Sequence, residues 1–206
     1  HSSRVPIFKT REECCTGRSV MKKRVPMKPR GPLMIEHRLI EKMLKLTGKE
    51  LERIKKERDV DPVFIDTIVD FIRTYADRTH HGKEEDILFR ELEQKDLSDK
   101  DKRGMRELVD EHVTARKVVK ELVDATGEYG KGDQSKIDAV IEKLSFLINF
   151  YPEHIYKEDK VFFPDTETYF SKEELDRMLE DFWEFDKNMI HEKYNTLYDE
   201  LSERYG

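Results

Sequence analysis

The sequence of 206 residues is poor in cysteine, and its only two cysteines, Cys14 and Cys15, are adjacent. Adjacent cysteines do not staple distant segments together, so a disulfide framework is excluded and a reducing compartment is indicated. No apolar run approaches the roughly 18 residues that a membrane-spanning helix requires. The N-terminus also lacks the apolar core of a signal peptide. We therefore expect a soluble, cytoplasmic protein with no membrane partner.

Uncharged amide side chains are also scarce. The chain has two glutamines and three asparagines against 39 Lys and Arg and 45 Asp and Glu residues. This bias toward charged residues is typical of proteins from thermophiles, and we predict such a source. The net charge of −6 argues against nucleic acid as a partner. The length suits one domain with a substantial core.

No segment alternates apolar and polar residues as a strand would, whereas apolar residues recur at helical spacing in five segments. Each segment has its own start or stop signal. The signals are Pro32 for helix one, Asp61-Pro62 for helix two, Ser98 for helix three, the glycine-rich stretch 127–133 before helix four with Pro164 at its end, and Ser171 with Glu174 for helix five. Long amphipathic helices joined by short loops predict an all-α, up-down-up-down four-helix bundle with an additional C-terminal helix.

Residues 1–31 carry basic clusters and three prolines without apolar periodicity. We interpret them as an N-terminal extension. Part of it resembles a non-native leader, because His1-Ser2-Ser3 is typical of an expression-tag remnant and Met21 would serve as a natural start. The bundle is assigned to residues 32–206, with the fifth helix at 172–205.

One plan occurs twice in the sequence. A lone histidine is followed 42 or 43 residues later by a second histidine, and that histidine is followed at four positions by a glutamate. The first copy consists of His37, His80 and Glu84, and the second of His112, His154 and Glu158. Residues four apart share a helix face, so each pair can direct an imidazole and a carboxylate at one ion. Nitrogen and oxygen ligands favour iron or manganese over structural zinc, and two carboxylates able to bridge indicate a dinuclear centre.

The duplication matters more than either histidine and glutamate pair alone. Acids make up 45 of 206 residues, so a single such pair arises easily by chance. Four buried imidazoles without ligands would be costly. Aligning the copies places His80 over His154 and His81 over Ile155, so His80 is the preferred ligand. His81, about 100° further around an α-helix, is interpreted as a flanking residue.

Other residues near the repeat are assigned secondary roles. His81, His191 and Glu41 are secondary candidates as ligands. Solvated roles are expected for Glu85 and Asp159. Arg116, four residues after His112, cannot ligate a metal and is expected to act as a nearby charge or hydrogen-bond donor.

The two copies, His37 with His80-x-x-x-Glu84 and His112 with His154-x-x-x-Glu158, resemble the hemerythrin-like, or HHE cation-binding, family over residues 32 to 164. The resemblance implies a non-haem di-iron site with Glu84 and Glu158 bridging, and it implies dioxygen chemistry. In oxygen-carrying hemerythrins the third helix supplies two histidines four apart. Here Arg116 stands at the second position, which argues against simple oxygen carriage.

We predict that two iron ions, rather than manganese or zinc, bind O2 or a related ligand such as peroxide or nitric oxide. The function would be sensing, carriage or redox detoxification, with oxidase- or peroxidase-like turnover left open. The alternative is an iron-handling or iron–sulfur cluster repair protein. Di-iron repair proteins carry adjacent cysteines in an N-terminal domain, and Cys14-Cys15 is weakly similar to them.

Overall fold

A computed structural model describes residues 27–187 and 190–205, and within these ranges every regular element is helical. The all-α prediction is confirmed. No helix in the same ranges is long and apolar enough to cross a bilayer. The predictions made for residues 1–26, including those for Cys14 and Cys15, lie outside the described residues.

Six α-helices form the framework, and two of them continue beyond their α-helical part. The helices are α1 (Arg30–Glu57), α2 (Pro62–Phe71), α3 (Asp99–Gly130), α4 (Ile137–Lys157), α5 (Lys172–Phe185) and α6 (Ile190–Tyr205). The second helix continues from α2 through π-helical turns at Ile72–His81 and Glu84–Phe89 to a last α-helical turn at Arg90–Leu92. The fourth helix continues from α4 through the π-helical Glu158–Phe162 and the α-helical Phe163–Thr166.

Three of the predicted start signals are confirmed by hydrogen bonds at the helix N-termini, whereas α1 begins at Arg30, two residues before the predicted Pro32. The Asp61 side chain accepts from two backbone N–H groups of α2, and the Ser98 hydroxyl accepts from the Asp101 N–H. Ser171 and Glu174 form both hydrogen bonds of a capping box at the start of α5. Each cap satisfies N–H groups that have no partner within the helix.

The predicted end of the fourth helix at Pro164 is wrong. The chain stays helical to Thr166, and Pro164 lies in the first turn of the segment Phe163–Thr166. Pro164 directly follows the π-helical turns Glu158–Phe162, where the regular α-helical hydrogen-bond ladder is already interrupted, so its missing N–H breaks no continuous ladder.

The single fifth helix predicted for residues 172–205 is two helices. α5 ends at Phe185, and α6 begins at Ile190. The apolar residues of α5, such as Phe182, pack on one core cluster, whereas Tyr194 of α6 packs on the other. The chain leaves the helical conformation between these two packing sites, so α5 and α6 are separate helices. We call α5 and α6 the C-terminal pair.

The candidate ligands lie between the two apolar clusters of the core. Along α1, Leu33 belongs to the smaller cluster and Leu39 to the larger, with His37 between them. Along α3, His112 likewise lies between Leu108 and Ala115. The long helices thus hold a polar layer inside an otherwise apolar interior, which separates it from bulk water.

Candidate metal centre

All six predicted ligands are buried and meet in this layer. Their side chains form two groups together with His81, and within each group the ligand atoms lie within 4.8 Å of one another. The two-histidine group contains His37, His80, Glu84 and Glu158, and the three-histidine group contains His81, His112 and His154. These groups could each hold a metal ion.

The two glutamates of the two-histidine group also face the three-histidine group. Glu158 Oε2 lies 3.2 Å from His37 Nε2, and Glu158 Oε1 lies 3.2 Å from His154 Nε2. Glu84 Oε1 lies 3.3 Å from His80 Nε2, and Glu84 Oε2 lies 3.5 Å from His112 Nε2. Each carboxylate therefore presents one oxygen to each histidine group, as a bridging ligand would.

Five buried polar atoms of this layer have no hydrogen-bond partner. None of the four carboxylate oxygens of Glu84 and Glu158 has a hydrogen bond, and neither does His81 Nε2. Burying a carboxylate without a partner is expensive unless a cation compensates it. The imidazole nitrogens also face each other closely, with His37 Nε2 only 2.8 Å from His80 Nε2. The donor set and its unmet contacts fit a pair of metal cations.

The other ring nitrogen of each ligand histidine is engaged by an acid. We call these acids the outer carboxylates. The Nδ1 pairs are His37 with Asp159 at 2.7 Å, His80 with Glu36 at 2.7 Å, His112 with Glu85 at 2.6 Å and His154 with Glu111 at 2.7 Å. Donation from Nδ1–H fixes the tautomer and leaves the Nε2 lone pair free for a metal. The expectation that Glu85 and Asp159 serve solvated roles is therefore wrong, because both hold ligand rings.

A basic side chain contacts each outer carboxylate in turn. The pairs are Arg38 with Asp159, Lys83 with Glu36, Arg116 with Glu85 and Lys157 with Glu111. Sequence reasoning missed Glu36 and Glu111 as partners of the histidine rings, and it missed Lys83 and Lys157 as contacts of these two acids. The repeat itself carried the signal, because each lone histidine follows a glutamate and each bridging glutamate follows a lysine.

His81 occupies a place that the α-helical alignment did not predict. Its ring is buried and stacks on His112, with centroids 3.7 Å apart and planes 11° from parallel. The π-helical turns of Ile72–His81 rotate the chain less per residue than an α-helix does, because their hydrogen bonds span five residues. His80 and His81 therefore both face the interior. The expectation that the His81 ring lies to the side is corrected.

The other secondary candidates lie apart from both groups. Glu41 is half-exposed and pairs with Arg38 at 2.9 Å. His191 Nε2 lies 2.9 Å from an oxygen of Asp186, in a separate cluster with Glu36. Neither residue belongs to the two-histidine or the three-histidine group.

Arg116 acts as the hydrogen-bond donor that was expected. Its Nε donates to Asp77 and its Nη2 to Glu85, both at 2.7 Å. Asp77 lies 3.4 Å from His81 Nδ1, and Glu85 holds His112. One guanidinium thus supports the acids behind two rings of the three-histidine group.

Opposing shifts of pKa show how the site balances charge without a metal. Burial lowers the pKa of His37, but its carboxylate neighbours outweigh burial and raise that pKa to about 9. His154 behaves likewise, with burial outweighed by Glu158 and other acids and the pKa raised to about 10. Burial, followed by the charge of His37, lowers the pKa of His80 to about 4. Protons on some rings thus offset the buried acids, and metal binding would displace them.

The fold and site define a class of helical proteins that hold cations between buried histidines and acidic residues. A family model described as the hemerythrin HHE cation binding domain matches residues 32–166. The chain belongs to this family, which confirms the resemblance seen in the motifs. The match includes both histidine groups and ends before the C-terminal pair. No curated protein and no solved structure gives a significant match.

Proposed function

We propose that this chain is a non-haem di-iron protein that binds O2 or a related small ligand such as peroxide or nitric oxide. The observation that carries the proposal is the pair of buried carboxylates of Glu84 and Glu158, whose oxygens have no hydrogen bond and face imidazole Nε2 atoms on both sides. Membership of a cation-binding family supports it further. Nitrogen and oxygen ligands without thiolate suit iron.

The two groups would hold one ion each, with Glu84 and Glu158 shared between them. When bound, the iron pair supplies the electrons and the binding position for the small ligand. The two-histidine group offers fewer imidazoles, so we propose that the small ligand binds on that side. Phe163 stacks beside His37 with ring centroids 6.0 Å apart, and such apolar neighbours limit the entry of water.

His81 changes the comparison with oxygen carriers. The argument against carriage assumed two histidines for each iron, because Arg116 replaces a third-helix ligand. With His81 the centre has five imidazoles, divided between groups of two and three. We therefore keep reversible binding, sensing and redox detoxification together within the proposal. We also propose that the four long helices form an up-down-up-down bundle, since short connections favour antiparallel neighbours.

Metal analysis combined with an optical spectrum tests this function. The reduced full chain is loaded with Fe²⁺ under argon and then exposed to air. Two irons per chain with an absorption band that disappears when O2 is removed would support carriage or sensing. Irreversible oxidation would support redox chemistry. A single zinc ion per purified chain would contradict the di-iron proposal.

A further inference from the structure

The two copies of the repeat differ in the surroundings of their lysines. Lys157 lies at the surface, with 40% of its side chain exposed, and contacts Glu107 and Glu111. Its counterpart Lys83 has no exposed side-chain surface. Lys83 contacts Glu36 on one side and donates to the two oxygens of Asp186, at 2.8 and 2.6 Å, on the other. A buried ammonium held by two acids is costly to place unless both contacts are kept.

Asp186 caps the first helix of the C-terminal pair and lies beyond the segment that matches the family. It directly follows α5, and His191 of α6 holds one of its oxygens at 2.9 Å. The other ring nitrogen of His191 lies 2.9 Å from the Tyr75 hydroxyl. Asp186 is thus fixed from the second helix and from α6.

Two further contacts seat the C-terminal pair over Lys83. The Lys83 ammonium lies 5.9 Å from the centre of the Phe182 ring. A Cβ added at Gly82 would lie 2.8 Å from Phe185 Cζ, so the glycine permits the end of α5 to approach the second helix closely. Both contacts fall beside the histidine pair of that helix.

We propose that Lys83 and Asp186 are positioning residues for His80, and that the C-terminal pair is thereby part of the metal centre. Asp186 holds the Lys83 ammonium against Glu36 Oε1, and Glu36 Oε2 then accepts from His80 Nδ1 at 2.7 Å. This chain of contacts orients the His80 ring so that Nε2 faces Glu84. The role in metal binding rests on the proposed di-iron function.

The effect is selective for the two-histidine group because the second copy has a substitute for its lysine. Water can replace the exposed Lys157 ammonium beside Glu111. Glu36 is 1% exposed, so loss of Lys83 leaves a buried carboxylate with one partner fewer. Glu36 would then reorient toward the groove that it lines with Asp186 and His191, and the His80 ring would lose its acceptor.

Anaerobic titration of the metal-free full chain with Fe²⁺ is the first test. Lys83→Met should lower the affinity for one of the two Fe²⁺ ions by about 10- to 100-fold, the range typical for loss of a hydrogen-bonded group behind a metal ligand. Asp186→Asn should also lower the affinity for this ion. The matched control Lys157→Met should change either affinity by less than about 3-fold. Unchanged binding in Lys83→Met and Asp186→Asn, or equal weakening of both ions, would overturn the proposal.

The second test needs no metal. Nitrogen-15 NMR of the histidine rings detects slowly exchanging Nδ1–H groups, and the His80 signal is identified by its absence in His80→Gln. The His80 Nδ1–H signal should broaden or vanish in Lys83→Met and in Asp186→Asn, and it should persist in Lys157→Met. Persistence in a folded Asp186→Asn chain would refute the positioning role. A wild-type chain that binds fewer than two ions but shows this pattern would contradict the di-iron function alone.

Discussion

The two copies of the repeat share a pattern of residue types but have different surroundings in the fold. In each copy a Glu-His pair on one helix meets a His-x-x-Lys-Glu segment on the next helix, and each lysine contacts the glutamate before the lone histidine. Two differences between the copies bear on the centre. His81 of the first copy faces Ile155 of the second in the alignment, and the lysine is buried in one copy and exposed in the other.

The repeat places the candidate ligands in the sequence, whereas the surrounding structure makes the two copies unequal. His81 lies on the helix of the first copy but joins the histidines of the second copy. The C-terminal pair covers only the lysine of the first copy. The near-symmetrical repeat thereby presents two unlike groups of side chains that could each hold a metal ion. Under the proposed function, this inequality favours binding of the small ligand at one of the two ions.

The largest effect should follow from removing a residue that both copies share. Glu158→Ala is expected to lower Fe²⁺ binding by more than about 100-fold at both positions, because the carboxylate faces both histidine groups. Elemental analysis after anaerobic loading measures the metal content. Glu153→Ala, on the exposed face of the same helix, is the control and should retain two ions. Loss of only one ion in Glu158→Ala would argue against a shared carboxylate.

The next largest effect tests the assignment of His81. His81→Ala should lower the affinity of the three-histidine group for its ion by about 10- to 100-fold and leave the affinity for the other ion unchanged. The matched control is Ile155→Val, which should keep both ions and lower the free energy of unfolding by about 0.5–1.5 kcal/mol. Wild-type affinities in His81→Ala, measured by the same titration, would restore the interpretation of His81 as a flanking residue.

A smaller effect is expected from the arginines behind the outer carboxylates. Arg38 and Arg116 are 52% and 38% exposed, so water and salt screen their charges. Arg38→Gln and Arg116→Gln should each weaken one ion by no more than several-fold, about 1 kcal/mol. The difference in Fe²⁺ affinity between each variant and the wild type should become smaller when the titration is repeated at high salt. A loss as large as that of Lys83→Met would remove the distinction between buried and exposed cations.

The smallest effect should come from the capping box that starts α5. Ser171→Ala removes one hydrogen bond to a backbone N–H and should destabilise the chain by about 1 kcal/mol, or about 2–4 °C in Tm. Metal content should stay at the wild-type value, since Asp186 lies at the far end of the helix. Thermal unfolding followed by circular dichroism measures the shift. Loss of metal in this variant would show that the whole of α5, rather than its last turn, supports the centre.

The sequence predicted the helices and most of the polar layer for identifiable reasons. Period-3.6 apolar spacing and cap residues such as Asp61 and Ser98 are local signals, and the structure confirms those starts. The repeat predicted six buried residues because equal spacing on equivalent helices brings them together. Which of them bind metal stays a prediction, as do the domain limits, the cytoplasmic location and the thermophilic source.

What the sequence did not predict depends on packing between distant segments. The π-helical turns have no local residue signature here, so an α-helical rotation was assumed for His81. The apolar spacing continues across the turn between α5 and α6, so the sequence pattern alone did not separate these two helices, which pack on different core clusters. The Glu36 and Lys83 contact was within reach, because it recurs as Glu111 and Lys157 at the same register of the repeat.

Because of the π-helical turns before His80, the number of imidazoles that face the interior depends on how many residues this helix contains as well as on which residues they are. A π-helical turn accommodates a residue that an α-helical turn does not. Deleting one residue within Ile72–His81 would let regular winding return and rotate one histidine of the pair out of the interior, although every ligand remained in the chain. Under the proposed function, single-residue insertions and deletions in this helix would therefore change the number of imidazoles that face the metal ions without replacing any candidate ligand.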